Sequence, residues 1–423
     1  MSKDIVYPAQ MDTQSFGKLR VDVNSILASR PIVDATVTIS DSGNPDSPIE
    51  QFRTDVVGQT EVIDLPAPPL EYSMEPSAEQ PYANYNIKIA APGFETLEIN
   101  SAEILPNVTA IQNASLQPLD NALGDSTELY VIPPHTLFGD YPPKIAENEI
   151  KSTDETGEIV LSQVVIPEFV VVHDGPPRDP SAQNYYIKYK DYIKNVASSE
   201  IYATWPEATI QANVLAIQSF TLNRVYTEWY RNKGYNFTIT TSTAYDHKFI
   251  PERNIFEPIS LIVDTIFSNY LSFPNVAQPI LTQYCDGRNV SCPNWMTQWG
   301  SKDLGDSGYS AIEILRNFYG DSMYINSTNE ISGIPSSWPG APLEIGSRGE
   351  KVRQLQNQLN VISRGYPLIP KVAEDGVYGE RTAEAVEMFQ KIFDLPETGE
   401  VDFPTWYKVS EIYVGVSRIA ELV

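Results

Sequence analysis

A long and nearly all-apolar helix in the middle of the chain is the feature that most constrains its fold. Between Thr204 and Arg231, two adjacent rows of apolar residues recur at helical spacing. The first row is Ile210, Val214, Ile217 and Val225, and the second is Leu215, Leu222, Tyr226 and Trp229. A helix that is apolar over so much of its circumference needs protein on nearly every side. The sequence therefore predicts a central domain built around a buried helix.

The start of this helix carries capping signals. Thr204 is the expected N-cap, Pro206 falls in the first turn, and Glu207 follows three residues after Thr204. Proline is tolerated there because the N–H that it lacks has no partner inside the helix. Thr204 and Glu207 together predict a capping box.

Glu200 lies just ahead of the helix and is the candidate general acid. A carboxylate held in low-dielectric surroundings has a raised pKa, which suits it to donate a proton near neutral pH. The alternative is a solvated loop acid, as most carboxylates are. Glu207 and Glu228 are weaker candidates, because capping explains the first and a surface ion pair explains the second.

Composition and charge exclude several classes of protein. At 423 residues the chain has room for about three domains, and no apolar run is long enough to cross a membrane. A net charge of −26 argues against nucleic acid or an anionic membrane as a partner. The first residues, MSKDIVYPAQ, contain no apolar signal region, so no ordinary secretory signal is expected.

From Gly17 to about Pro118 the pattern is typical of β-strands. Short runs rich in Val, Ile and Thr alternate with period two and are separated by turn residues; they are KLRVDVNS, ATVTIS, TEVIDL, YNIKIAA and ETLEIN. The expected fold of residues 1–119 is an antiparallel β-sandwich. The runs Ala35–Ile39, Gly58-Gln59-Thr60 and Pro92-Gly93-Phe94 resemble transthyretin-like modules, which implies a prodomain without catalytic residues.

Two segments are predicted to be linkers. Residues 120–165 are acidic, contain two Pro-Pro pairs and lack periodicity, which indicates an exposed linker of the kind that proteases cut. Residues 332–342 are dense in Ser, Pro and Gly. The predicted units are therefore 1–119, the linker 120–165, a catalytic domain at 166–335 and a final domain at 341–423.

Cysteine and histidine are scarce. Cys285 and Cys292 either pair across a short loop or stay reduced, and a count of two favours the reduced state. The three histidines are His135, His173 and His247. A structural zinc site needs four ligands at characteristic spacing, so no metal or cofactor is expected, and His173 is expected to be structural.

Two segments resemble the motifs of the SpoIID-type lytic transglycosylase domain. Glu200-Ile201 followed by Trp205-Pro206-Glu207-Ala208 is similar to the opening motif, and Met296–Gly300 is similar to the closing motif. The resemblance implies that the catalytic acid is Glu200. The side chains expected to bind substrate, each of which could equally be packing, are Trp205, Gln218, Tyr245, Gln298 and Trp299. Where the family usually has His-Gly before the Met, this chain has Pro293-Asn294-Trp295, so no histidine-dependent role is carried over.

From Leu343 the chain is again helical. Val352, Leu355 and Leu359 share one face of a first helix, and Asp375-Gly376-x-Tyr378-Gly379 precedes a second. This pattern resembles the three-helix peptidoglycan-binding domain. The resemblance implies a three-helix bundle, with Asp375, Tyr378 and Phe389 as cell-wall-binding residues.

The order of units is similar to spore cortex-lytic enzymes of the SleC type. The resemblance implies an inactive precursor in the cortex and coat region of the spore, synthesised in the mother cell without a signal peptide. It also implies activation by a subtilisin-like Csp protease and cortex peptidoglycan as substrate. The expected cut falls between about residues 113 and 165, and the sandwich is expected to cover the Glu200 groove until then.

The implied reaction cleaves the MurNAc–GlcNAc bond and leaves 1,6-anhydro-muropeptides. It needs only one acid–base residue, because the 6-hydroxyl of the sugar attacks, whereas a glycoside hydrolase needs two carboxylates. Two alternatives remain open: a zinc-dependent N-acetylmuramoyl-L-alanine amidase, and a non-catalytic cell-wall-binding spore protein.

Overall fold

The structure is a computed structural model that describes residues 15–27, 30–119, 126–152, 155, 160–333 and 338–417. The fold is mixed α+β, with strands in several sheets, as the sequence predicts. Residues 1–14 of the predicted prodomain, 120–125 of the predicted linker and 334–335 at the end of the predicted catalytic domain lie outside the described residues.

The described residues of the N-terminal part form eight strands and one short helix. They are β1 (Ser15–Ser25), β2 (Thr36–Asp41), β3 (Pro48–Arg53), β4 (Ile63–Ala67), α1 (Glu71–Met74), β5 (Ala83–Ala90), β6 (Thr96–Ile104), β7 (Thr109–Leu116) and β8 (Thr127–Val131). Alternate residues of β1, such as Leu19, Val21 and Val23, are buried in one core with residues of the other sheet. The period-two pattern is therefore confirmed as β-structure with one face buried.

The pairing of these strands is only partly antiparallel. One sheet has the order β3-β2-β5-β6-β8, and the other runs β7-β1-β4. β1 pairs parallel with β7, and β8 pairs parallel with β6. The sandwich that was expected to be antiparallel therefore contains two parallel pairs, both of which join strands that are distant in the chain, where no hairpin constrains their direction.

The central part carries eight strands and five helices among the described residues. They are β9 (Phe169–His173), β10 (Asn184–Lys188), α2 (Tyr189–Glu200), α3 (Glu207–Tyr226), β11 (Ile239–Thr240), β12 (Ile255–Phe256), α4 (Glu257–Ile266), β13 (Asn269–Ser272), β14 (Tyr284–Cys285), β15 (Met296–Thr297), α5 (Gln298–Asp306), α6 (Ala311–Tyr319) and β16 (Tyr324–Ser327). No helix among the described residues is both long and apolar enough to span a bilayer.

The predicted buried helix is α3, and its surroundings are as expected. Ile210, Val214, Ile217 and Leu222 are each at most 2% exposed. The helix contacts α2, α4, α5 and α6 as well as β13, so protein covers most of its circumference. At Gly305 of α5, a Cβ atom would lie 2.0 Å from the Thr209 hydroxyl oxygen. Only glycine therefore allows α5 to approach α3 this closely.

The predicted capping box at the start of α3 is wrong. The helix begins after Pro206 without a side-chain cap, and the Thr204 hydroxyl donates instead to Ser73 Oγ in the N-terminal part, at 2.9 Å. Trp205 Nε1 donates to the carbonyl oxygen of the same residue at 2.9 Å. A contact between distant segments has replaced the local cap that the sequence suggests.

In the C-terminal part, residues 338–417 form three helices, α7 (Glu350–Ile362), α8 (Glu380–Ile392) and α9 (Phe403–Ser417). The predicted apolar face of α7 is confirmed, since Val352, Leu355 and Leu359 are at most 1% exposed. The Arg20 guanidinium of β1 binds both carboxylate oxygens of Asp394, at 2.7 and 2.6 Å, which ties the C-terminal part to the N-terminal one.

The N-terminal and central parts are joined by a shared sheet. β12 of the central part pairs antiparallel with β7, placing Ile255 opposite Ile111, and so extends the N-terminal sheet to four strands. Next to this junction, Arg253 Nη2 binds Glu103 Oε2 at 2.5 Å, and both side chains are at most 1% exposed. Backbone pairing and a buried ion pair thus hold the two parts together.

Candidate active site

Glu200 is the last residue of α2 and is only 3% exposed. Burial rules out the solvated loop acid considered from the sequence. The preceding residues are also buried, so the helix fixes the position of the carboxylate. Arg253 supports this end of the helix by donating from Nε and Nη2 to the Ser198 carbonyl oxygen, at 3.0 and 2.6 Å.

Two donors hold the Glu200 carboxylate. The backbone N–H of Lys248 donates to Oε1 at 2.6 Å, and the Tyr284 hydroxyl on β14 donates to Oε2. The ring of His247 stacks on Tyr284 with centroids 5.9 Å apart, and His247 Nδ1 lies 3.0 Å from the Tyr192 hydroxyl. The carboxylate therefore has one defined orientation.

Burial and charge act in opposite directions on Glu200. Burial raises the pKa of its carboxyl group above the ordinary value, and this effect is opposed by the Lys144 ammonium, the Tyr284 hydroxyl and the Lys248 N–H. Burial and the Glu200 charge raise the pKa of Tyr284 well above its usual range, so its hydroxyl keeps its proton. Burial lowers the pKa of His247, which is therefore neutral at physiological pH.

The segment Met296–Gly300 contributes directly to the site. Gln298, the first residue of α5, donates from Nε2 to the Glu200 carbonyl oxygen at 2.8 Å. The two positions are 98 residues apart in the chain and the structure brings them together, while binding of substrate by Gln298 stays a prediction. Gln298 and Glu200 also border the same cavity.

The two predicted tryptophans lie together but are buried. Trp205 and Trp299 have ring centroids 5.0 Å apart and are 3% and 4% exposed. Trp205 contacts Ser73 of the N-terminal part through its indole N–H. In this conformation neither ring has a free face for a sugar.

The other two residues predicted to bind substrate, Gln218 and Tyr245, form no hydrogen bond with Glu200 among the described residues. Gln218 on α3 is fully buried, and its side-chain amide atoms have no hydrogen-bond partner among the described residues. Tyr245 is half-buried, and its backbone carbonyl accepts a hydrogen bond from Arg224 at 3.1 Å. Both remain predictions as substrate-binding residues.

A disulfide-closed loop forms one wall of the site. Cys285 and Cys292 are bonded, so the expectation that they stay reduced is wrong. A count of cysteines could not show that β14 and the loop after it bring the two thiols together. Asp286 lies in this loop and accepts the amides of Asn289 and Val290 at 2.7 and 2.8 Å.

Residues 133–152, which we call the strap, lie across the site. This segment belongs to the predicted exposed linker, and that expectation is wrong here, since His135, Leu137 and Lys151 are at most 7% exposed. The bonds that dock its second half run from Ile145 N to Ala244 O (2.7 Å), Gln283 Nε2 to Ile145 O (2.7 Å), Glu147 N to Gln283 Oε1 (2.8 Å), Leu281 N to Glu149 O (2.8 Å) and Lys151 N to Gln278 Oε1 (2.7 Å). Most of these bonds use the side chains of Gln278 and Gln283, so residues 278–283 hold the strap without forming a strand pair with it.

The strap closes the space in front of Glu200. The cavity there has a volume of only about 70 Å³. Its wall on the strap side is formed by Thr136, Gly139, Tyr141, Pro142, Pro143 and Lys144. Small-molecule sites usually have volumes of roughly 300–1,000 Å³, so a sugar polymer does not fit while the strap is docked.

The predicted cell-wall-binding residues are largely internal. Tyr378 and Phe389 are 1% and 0% exposed, and the Tyr378 hydroxyl donates to the Gly399 carbonyl oxygen at 2.7 Å. Asp375 is exposed and accepts the Val377 N–H at 2.9 Å, which fixes the turn before α8. Tyr378 and Phe389 support the domain rather than present a surface to the glycan in this conformation.

The described part of the chain contains no group of three or more His, Cys, Asp or Glu residues arranged to hold a metal ion. His173 is 6% exposed, stacks on Phe237 and lies 2.8 Å from the Asn184 side-chain oxygen through Nδ1. These contacts agree with the structural role expected for it.

Comparison with known families identifies one region. Residues 348–409 match the family described as "Putative peptidoglycan binding domain". The match covers α7, α8 and the first half of α9, where the sequence pattern places the same kind of domain. The C-terminal part thus associates the chain with the cell wall. A comparison with curated proteins gives no match.

Solved structures give only partial likenesses. The minor pilin GBS52 of Streptococcus agalactiae is 11% identical over 26% of this chain and 47% of its own, with a TM-score of 0.19. Catechol 1,2-dioxygenase of Acinetobacter radioresistens is 12% identical over 28% of this chain and 60% of its own, also at 0.19. The chain thus spans less than two thirds of each, and scores this low say nothing about its function.

Sequence reasoning missed several residues of the site. Tyr284 and the Lys248 amide bind the Glu200 carboxylate, and Lys144 and Asp286 border the same cavity. Tyr284 comes directly before Cys285, but no local pattern distinguishes it from the other tyrosines. Its role depends on a contact across 84 positions of the chain.

Proposed function

We propose that this chain is the precursor of a peptidoglycan lytic transglycosylase in which Glu200 is the catalytic residue. The observation that carries the proposal is a buried carboxylate held by Tyr284 and Lys248, next to the segment that begins at Gln298. The peptidoglycan-binding domain at residues 348–409 supplies the substrate class and holds the enzyme on an insoluble polymer.

The proposed reaction uses Glu200 twice. Its protonated carboxyl group donates to the glycosidic oxygen as the bond from the muramic acid C1 breaks. The carboxylate then takes the proton of the 6-hydroxyl of the same sugar as the bond from O6 to C1 forms. The products are a new 4-hydroxyl and a 1,6-anhydro ring, with no water consumed. Burial favours the protonated form that begins this cycle.

Asp286 is the residue that would make a two-carboxylate hydrolase possible, since it borders the same cavity as Glu200. Both of its carboxylate oxygens already accept backbone amides of the disulfide loop. Its contacts therefore support a structural role in the loop rather than activation of water.

The finer assignment follows the domain order that the sequence suggests. We propose that the substrate is cortex peptidoglycan, that the protein is stored in the spore, and that a subtilisin-like Csp protease activates it. The docked strap supports an inactive precursor, because it fills the space that the glycan would need.

The experiment uses purified peptidoglycan and chain that has been cut within the segment after the strap. Mass spectrometry should find muropeptides that end in an anhydro sugar and are one water lighter than hydrolysis products. Glu200→Gln should lower their release by about 10²–10⁴-fold, the usual contribution of a general acid–base, with binding to peptidoglycan retained.

Asp286→Asn is the matched control, and this variant should still release anhydro-muropeptides. Products that carry an added water, and whose release requires both Glu200 and Asp286, would indicate a hydrolase. Loss of activity with a chelator, together with free stem peptides, would indicate an amidase. Binding without any product would leave a non-catalytic cell-wall-binding protein.

A further inference from the structure

One ion pair joins the strap to the buried helix α3. The Glu147 carboxylate accepts hydrogen bonds from two nitrogens of Arg224, at 2.6 and 3.0 Å. Arg224 is 1% exposed, and its Nε also donates to Asp246 at 2.8 Å. Paired guanidinium–carboxylate bonds that are shielded from water are among the strongest polar contacts in proteins. This pair is therefore among the strongest contacts that hold the second half of the strap.

The same stretch of strap carries a cation towards Glu200. Lys144, three residues before Glu147, donates to the Asp246 carbonyl oxygen, and its Nζ lies 5.1 and 5.2 Å from the ring centroids of Phe220 and Tyr284. Tyr284 is the residue that binds the Glu200 carboxylate. The ammonium group thus occupies the apolar wall beside the proposed catalytic acid.

The docked cation opposes the proposed chemistry as well as filling space. Lys144 lowers the pKa of Glu200 against the effect of burial. A carboxylate kept ionised by a nearby ammonium group has no proton to give to a glycosidic oxygen. Docking of the strap therefore excludes the glycan and places a cation beside the proposed catalytic acid.

We propose that the strap is a built-in inhibitor of the Glu200 site and that the Glu147–Arg224 pair is the latch that holds it there. The inhibitory role rests on the proposed function, whereas the latch rests on the contacts alone. Inhibition is assigned to the strap and not to the face of the N-terminal sandwich. The sandwich acts as an anchor, because β8 (Thr127–Val131) attaches the beginning of the strap to its sheet.

The latch can be tested in the intact full-length chain without any proteolysis. Glu147→Gln removes the charge of the latch and keeps the size of the side chain. Amide hydrogen exchange over residues 145–151 should accelerate roughly ten- to a hundredfold, the value of a charge-assisted hydrogen bond converted to a population of open strap. Release of anhydro-muropeptides by the uncut chain should rise by a similar factor.

Two further variants make the test specific. The Lys151 ammonium is the second cation bound to the Glu147 carboxylate, with Nζ 2.6 Å from Oε2. Lys151→Met removes this cation and leaves Arg224 bound to Asp246. It should accelerate the same exchange by a smaller factor, and it provides the test if Glu147→Gln does not fold. Asp140→Asn is the matched control, because Asp140 is an exposed acidic residue of the strap that lies outside the contacts docking its second half, and this variant should change neither measurement.

The outcomes separate the latch from the proposed reaction. Unchanged exchange in both Glu147→Gln and Lys151→Met overturns the latch, whatever the activity. If the variants exchange faster but release no more product than a wild-type chain that is itself active, inhibition by the strap is overturned. Faster exchange with no product from any form, the cut chain included, leaves the latch standing and overturns the transglycosylase reaction. Faster exchange with new product that disappears when Glu200→Gln is added supports both.

Discussion

The buried Glu103–Arg253 pair should control the attachment of the N-terminal sandwich to the central domain. Arg253 is fully buried and has two kinds of acceptor, the Glu103 carboxylate at 2.5 Å and the Ser198 carbonyl oxygen at 2.6 and 3.0 Å. Only Glu103 neutralises its charge in these contacts. Glu103→Gln keeps the shape of the side chain and leaves a guanidinium without a counter-charge.

The expected cost follows from this geometry. Removing one partner of a buried ion pair typically costs about 3–5 kcal/mol, and because the glutamine oxygen can still accept one hydrogen bond we expect about 3 kcal/mol. For a unit of about 150–250 residues, 1 kcal/mol corresponds to roughly 2–4 °C in Tm, so the first thermal transition should fall by about 6–12 °C. Burial is decisive, since an exposed pair contributes at most about 1 kcal/mol.

The assay is thermal and urea unfolding followed by circular dichroism and by tryptophan fluorescence. Trp205 contacts Ser73, so fluorescence should report separation of the two parts. Asp34→Asn is the control, because the Asp34–Arg53 pair is 3.5 Å long and largely exposed, and it should shift stability by less than about 0.5 kcal/mol.

A double variant, Glu103→Leu with Arg253→Met, replaces the pair with apolar groups. It should cost less than the sum of the two single changes, because no charge is left buried alone. A Glu103→Gln chain within about 0.5 kcal/mol of the wild type would refute the reasoning, since the guanidinium would then be neutralised or hydrated in some other way.

Two further predictions concern pH and the site. Burial, and to a lesser extent the charge of Glu128, raises the pKa of Glu252 to about 7. Ionisation of Glu252 therefore destabilises the folded chain. This cost is absent below the ordinary pKa near 4.5 and grows as the pH rises towards 7. Glu252→Gln should therefore stabilise the chain by about 1 kcal/mol at pH 8 and not at pH 4, a value reduced because the side chain is half-buried; equal effects at both pH values would contradict this. Tyr284→Phe removes the hydroxyl from Glu200 and should lower transglycosylase activity of opened chain by about 10–100-fold while raising the pKa of the acid in the pH–rate profile. An unchanged profile would show that Tyr284 does not bind Glu200 during the reaction.

The periodic features of this chain could be predicted from sequence because they are local. The rows through Ile210 and Val214 identify α3, and Val352, Leu355 and Leu359 identify α7, since burial of one helical face depends on residues three and four apart. The candidate acid Glu200 could be selected because it lies just ahead of this buried helix and belongs, with Trp205-Pro206, to a run that resembles a known motif. Its role as a catalytic residue remains a prediction.

The features that could not be predicted depend on contacts between distant segments. Thr204 has the residue type of a helix cap, but its hydroxyl bonds to Ser73, 131 positions away. The strap has the composition of an exposed linker, because its apolar and charged groups are satisfied by other segments and not by its own neighbours. Glu147 has no helical or strand pattern around it that would reveal Arg224 as its partner.

The location of Glu200 at the end of α2 gives a physical reason for placing the control of the site in the strap. The carboxyl end of a helix carries a partial negative charge, which disfavours a carboxylate there, and burial acts in the same direction. The Tyr284 hydroxyl and the Lys248 amide oppose both effects but belong to the central domain itself. Lys144 belongs to the strap, so undocking removes this cation and leaves the Tyr284 and Lys248 donors in place. A change in position of a single segment therefore opens the cleft and removes a cation from beside Glu200 in the same step.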